Sequence, residues 1–230
     1  MKICAISPFT SASEEEILDF IKNCDHKFIV LPGNPIVLDG QFKNHPSPQS
    51  IAEVLKNGTY AFVETYVKTS AKTLKTENIQ TIPWWVSSTQ AIEMPRQIFG
   101  KKPTAGNLDN LQKDWSQRTR KIGSREFSFA ICGEINGFEK DGSVKMRREL
   151  PYDILVNPTH SIMGRWNHLG VKLANLSIGT TVIHVANNDH NHHRITTDVR
   201  IYVDGQVMER QVSGNIAWSE CKINSRSKVL

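Results

Sequence analysis

The 230-residue sequence is poor in cysteine, and none of its four, Cys4, Cys24, Cys132 and Cys221, falls in a C-x-x-C pair. That spacing suggests neither a zinc ribbon nor a thioredoxin-like redox site. In a chain of this length the even count does not require disulfides, and a reducing compartment is expected. Long apolar runs are missing too. No stretch approaches the ~18–20 residues that span a bilayer, and the opening MKICAISPF lacks the apolar core of a secretory leader. The expectation is a soluble, cytoplasmic protein with no membrane partner. No internal repeat or low-complexity tract occurs, which excludes solenoids and arrays. Nor is there a concentrated basic face. The net charge is +5, but Lys and Arg are interspersed with acids. The densest clusters, RTRK at 118–121 and RRE at 147–149, read as solvated faces, and nucleic acid is not an expected partner.

What is present suits a globular domain. Hydrophobic residues make up 39% and charged ones 22%, enough apolar surface to bury and too little charge for disorder. One domain over 1–230 is expected. Lys2–Ile6 predicts a strand. Ser11 or Ser13 caps a helix with Glu14, Glu15 and Glu16 in its first turn, where the helix dipole favours acids. Lys27–Leu31 predicts a second strand, which completes a βαβ unit. A short helix over Ser50–Lys56 and a strand over Tyr60–Val67 follow. Thr81–Ile92 reads as one strand, in which Trp84 and Trp85 serve as core or as a pocket wall. Residues 93–121 lack clear periodicity and read as irregular. Further strands are expected over Tyr152–Val156, Thr180–Ala186 and Ile216–Ile223, and a helix over Trp166–Ser177. Asp204–Gly205 joins Ile195–Val203 to Gln206–Val212 as a hairpin. The fold class is α/β, with strands outnumbering helices.

Three strands end alike. VLPG at 30–33, ICGE at 131–134 and LVNPTH at 155–160 each run from apolar residues into Pro or Gly and polar groups. In α/β folds, functional groups gather at the carboxyl ends of parallel strands. Cys132 therefore reads either as a nucleophile presented at a strand-to-loop elbow or as a small buried hydrophobe. His184, His190, His192 and His193 crowd one strand end. They read as a polar loop rather than a metal site, because no cysteine pair or carboxylate set accompanies them.

With these blocks in order, the sequence resembles the nitrilase superfamily, the carbon–nitrogen hydrolases, over most of its length. ICGE is similar to the family's nucleophile motif, and YDILVNPTHSIMGRWNHLGVKLANLSIGTTVIHVANN to the segment that follows it. RIYVDGQVMER is similar to the family's late hairpin. The resemblance implies a nitrilase-like αββα four-layer sandwich that assembles as a dimer or larger homo-oligomer and acts on a small-molecule substrate. It implies no cofactor and no metal. It implies a Cys–Glu–Lys site. Cys132 takes the nucleophile position, and Lys102 or Lys101 in IFGKKPT the lysine position, with Lys113 a poorer match. The family's glutamate follows a proline at the second strand's end, where this sequence has Pro32–Gly33. Glycine has no base to offer. Either Glu64 substitutes, or the protein is an inert binding or assembly module. Glu134, His160 and Trp166 are the expected substrate contacts.

Overall fold

The computed structural model describes residues 1–9, 11–33, 46–66, 81–100, 102–145, 150–159, 166–187 and 197–223. Strand β1 (Lys2–Pro8) is buried on both faces from Ile3 to Ser7, as a central strand must be. Helix α1 (Glu14–Asn23) starts at a capping box. Ser13 Oγ accepts the Glu16 N–H at 3.1 Å, and Glu16 Oε2 accepts the Ser13 N–H at 2.7 Å. Then come β2 (Phe28–Val30), α2 (Pro48–Val54), β3 (Tyr60–Tyr66), β4 (Thr81–Ser87) and β5 (Gln90–Glu93). Next are α3 (Ala105–Asp114), β6 (Thr119–Ile122), β7 (Arg125–Phe129), β8 (Ile154–Thr159), α4 (Trp166–Leu176) and β9 (Thr181–Asn187). The last strands are β10 (Thr197–Val203), β11 (Gln206–Val207), β12 (Arg210–Ser213) and β13 (Ile216–Lys222).

Among the described residues these strands form two sheets, ordered β12-β13-β1-β2-β3-β4-β5 and β11-β10-β9-β8-β7-β6. Each has a parallel centre, β1-β2-β3 and β7-β8-β9, flanked by antiparallel strands. The sheets pack face to face through Phe28, Phe62, Trp85, Phe127 and Phe129. Phe62 stacks on Phe129 with centroids 4.9 Å apart, and each such ring contributes roughly 2–3 kcal/mol by its burial. Helices α1 and α2 cover the outer face of the first sheet, through Ile17, Ile21 and Ile51. Helices α3 and α4 cover the second, through Leu111, Leu169 and Leu173. The result is the expected four-layer αββα sandwich.

One hydrogen bond shows the relative sense of the sheets. Ser7, near the carboxyl end of β1, donates through Oγ to the Ala186 carbonyl, near the carboxyl end of β9, at 2.6 Å. Both parallel centres therefore finish at the same end of the sandwich.

Three expectations needed correction. Residues 93–121 contain α3, a 3₁₀ turn (Trp115–Arg118) and β6. The helix is weakly amphipathic, with Leu111 its one buried residue, but Thr104 and Asn107 form a capping box that starts it. The stretch 81–92 is a β4–β5 hairpin. The stretch 206–212 divides between sheets, because β11 pairs with β10 and β12 with β13.

Candidate active site

Strand β7 delivers Ala130 and Ile131, both fully buried, to a 3₁₀ turn over Cys132–Gly137. Cys132 opens it with φ +48°, a left-handed conformation that costs a residue with a Cβ about 1–2 kcal/mol. Five hydrogen bonds and one close backbone approach hold it there. Glu134 Oε2 accepts the Ile131 N–H at 2.8 Å. Asn157 of β8 donates to the carbonyls of Ala130 and Cys132, the latter at 3.0 Å. Lys172 of α4 donates to the carbonyls of Ile135 and Phe138 at 3.2 and 2.7 Å. Gly133 lies directly against the Gly100 backbone. The Cys132 thiol is thus half-buried on a turn fixed from several sides.

Glu134 and Arg118 form a fully buried pair, Nη1 to Oε2 at 2.8 Å. Glu134 Oε1 accepts the Ile98 N–H at 2.6 Å, and Arg118 also donates to the Arg96 carbonyl. The pair therefore ties the segment before Lys102 to the cysteine turn. This corrects the reading of 118–121 as a solvated face: Arg118 faces inward from the 3₁₀ turn between α3 and β6, where a charge persists because it is paired. Burial pushes the Glu134 carboxyl up to about 7, against the opposing pull of Arg118 and the two N–H donors. The Glu64 charge adds to the rise, so Glu64 lies within electrostatic reach of the turn.

Glu64 is fully buried and accepts from Thr81 Oγ1 at 3.0 Å. It sits two residues beyond Phe62 on β3, on the face turned toward the second sheet. Val30 pairs with Phe62, and the Leu31 N–H bonds the Phe62 carbonyl. Continuing that register puts Glu64 beside Pro32, next to buried Gly33.

Lys102 is exposed, two residues after the Gly100 backbone that touches Gly133. Lys113 is exposed in the last turn of α3, in the outer layer. Lys101, His160, His190, His192 and His193 lie outside the described residues, as does the side chain of Trp166, which opens α4. Trp85 is core, and Trp84 lies on the outer face of the first sheet with its indole N–H on Thr65 Oγ1 at 2.8 Å.

His184 does not belong to a polar loop; it is fully buried within β9. Its Nδ1 meets Asn157 Oδ1 at 2.8 Å, and its Nε2 lies 3.4 Å from Asp198 Oδ2. Arg200 Nε donates to Asp198 Oδ1 at 2.9 Å. Burial raises the Asp198 carboxyl, but the neighbouring His184 ring and the Arg200 guanidinium outweigh it and hold the group below its ordinary value. A polar chain thus runs from β10 through β9 and β8 to the Cys132 carbonyl. The sequence signal for it is a polar residue on the helix-covered face of three adjacent strands, where Leu155, Val182 and Tyr202 are otherwise apolar or aromatic.

Paired sheets with helices outside make a four-layer sandwich whose fold is that of solved carbon–nitrogen hydrolases. Solved structures share it over nearly the whole chain. A CN-hydrolase superfamily protein from Xanthomonas campestris, with an arsenic adduct in its active site, matches at 11% identity and TM-score 0.58, covering 96% of this chain and 90% of that one. An amidase from Nesterenkonia sp. matches at 13% and 0.56, with the same coverage. Glutamine-dependent NAD+ synthetase from Acinetobacter baumannii matches at 10% and 0.59, covering 96% of this chain and 46% of that one. At these identities the likeness is one of fold. No protein-family model and no curated protein matches the sequence itself.

Proposed function

We propose that the protein is a thiol-dependent carbon–nitrogen hydrolase acting on a small amide or related bond, with Cys132 as nucleophile. The observation that carries this is the left-handed Cys132 turn at the strand ends, held by buried Asn157 on β8, half-buried Lys172 on α4 and buried Arg118 in the 3₁₀ turn after α3. Non-glycine residues held in strained backbone cluster at active sites, and this one presents a half-buried thiol.

In this reading Glu64 replaces the family glutamate from the neighbouring strand. It accepts the Cys132 proton as Sγ attacks the substrate carbon. A cation from the segment after Gly100, Lys102 in the first instance, and backbone N–H groups at the turn stabilise the oxyanion. Collapse breaks the C–N bond, and the amine leaves with the proton that Glu64 held. Water then adds to the thioester, Glu64 takes its proton, and the carboxylic acid departs as the proton returns to sulfur. Glu134 serves as a brace for the turn, since its oxygens already hold Ile98, Arg118 and Ile131. A cytoplasmic setting and a homo-oligomer belong to the same reading, and light scattering checks the latter.

Gly33 favours a second reading, an inert member of the fold that binds a partner. Selective iodoacetamide labelling of Cys132, with amidase activity lost in Cys132→Ala, supports the first reading. Labelling of Cys24 or Cys221 with Cys132 untouched, and no turnover of any small amide, supports the second.

A further inference from the structure

A second group of reactive side chains lies on the outer face of the first sheet. Cys4 stands on β1, Cys24 is the C-cap of α1, and His26 follows two residues later, just before β2. Both sulfurs and a ring nitrogen of His26 lie within 4.8 Å of one another. We propose that Cys4, Cys24 and His26 are the protein ligands of a site for a soft divalent cation of the zinc class.

The imidazole is already oriented for the task. His26 Nδ1 points at Cys24 Sγ, 2.8 Å away, while Nε2 meets Glu220 Oε2 at 2.5 Å. Glu220 lies on β13 directly opposite Cys4 in the strand register. A carboxylate on the far nitrogen of a ligating histidine fixes its tautomer and raises its basicity. The His26 side chain is 9% exposed, so its orientation comes from packing as well as hydrogen bonding.

The surroundings favour a cation over a bare reactive thiol. A cavity of about 510 Å³ opens at Cys24 and His26, and its lining includes Glu16, Asp19 and Asp25 but neither lysine nor arginine. This is an acidic mouth in a chain of net charge +5. The carboxyl end of α1 points here, with the Cys24 N–H on the Ile21 carbonyl, and that end of a helix dipole favours positive charge. Two cations stand nearby, Lys56 on the Cys24 carbonyl at 3.1 Å and Lys2 Nζ 3.7 Å from Asp25 Oδ2, and neither reaches Glu16 or Asp19 among the recorded contacts. Two sulfurs and one imidazole suit zinc, and three protein ligands leave a fourth position facing the cavity. The ligands stand 20 and 2 residues apart in sequence, outside any zinc spacing rule; the β1–α1–β2 crossover assembles them.

The test titrates the whole protein with Zn²⁺ against a competing chelator, and with Co²⁺ read by absorption. The expected result is one equivalent bound, thiolate-to-cobalt charge-transfer bands, and at least tenfold weaker binding in Cys24→Ser and His26→Ala, with Cys132→Ala unchanged. Glu220→Gln, at a side chain 43% exposed, is expected to weaken Zn²⁺ roughly tenfold while the unfolding midpoint of the metal-free protein stays near that of the wild type. Bound Zn²⁺ should also protect Cys24 from alkylation. Stoichiometric binding absent from the wild type, cobalt bands lacking thiolate character, or Glu220→Gln binding as tightly as wild type would each overturn the proposal.

Discussion

Gly133 lies so close to Gly100 that a Cβ built on it would stand 2.2 Å from the Gly100 carbonyl oxygen and 2.5 Å from its Cα. The obstacle is backbone, so a side chain cannot step aside. Gly133→Ala must push the 98–100 segment away from the cysteine turn. The expected cost is about 1–3 kcal/mol by denaturant unfolding, with slower alkylation of Cys132. Unchanged stability would show that the segment moves freely.

The Arg118–Glu134 pair predicts a second effect. Arg118→Met leaves a buried carboxylate without its guanidinium and is expected to cost about 3–5 kcal/mol. Arg118→Met with Glu134→Gln removes that uncompensated charge while the glutamine oxygen still accepts the Ile131 N–H. The double variant is expected to be more stable than Arg118→Met alone, which a double-mutant cycle measures.

The same glutamate predicts a pH dependence. Its folded value is about 7 against 4.5 for an ordinary glutamate, so between those pH values the folded state binds the extra proton. Its contribution is therefore least costly below pH 4.5, and stability falls as pH rises toward 7 and levels off above. The span is on the order of 3 kcal/mol at most. Unfolding free energies from pH 5 to 8 should show this slope in the wild type and lose it in Glu134→Gln.

Asn157 joins His184 to the carbonyls of Ala130 and Cys132. Asn157→Ala strands buried acceptors and the histidine together, and about 2–4 kcal/mol of stability should go with them. Hydrogen exchange at the Cys132–Gly137 turn is expected to accelerate more than exchange in β1, and equal acceleration would deny the link.

The sandwich was legible because its central strands are continuous apolar runs and α1 announces itself by a serine cap and three acids in its first turn. The Cys132 turn was legible because FSFAICGEINGF changes from apolar to small and polar within a few residues. Arg118 was not, since a charge run in sequence says nothing of which member turns inward. α3 was hidden because Leu111 alone is buried on it. The Cys4–Cys24–His26 group was hidden because only the crossover and β13 bring its parts together. Glu64 stood out as the one acid in an apolar strand, and its burial follows from the same alternation that puts Phe62 in the core.

The most direct measurement of the hydrolase reading is intact mass spectrometry of the protein incubated with a panel of small primary amides, with ammonia release followed in parallel. The account predicts a transient acyl adduct on Cys132 with ammonia released in the wild type, and loss of at least a hundredfold in rate in Glu64→Gln. No adduct and no ammonia from the wild type, or a Glu64→Gln variant as active as the wild type, would contradict it.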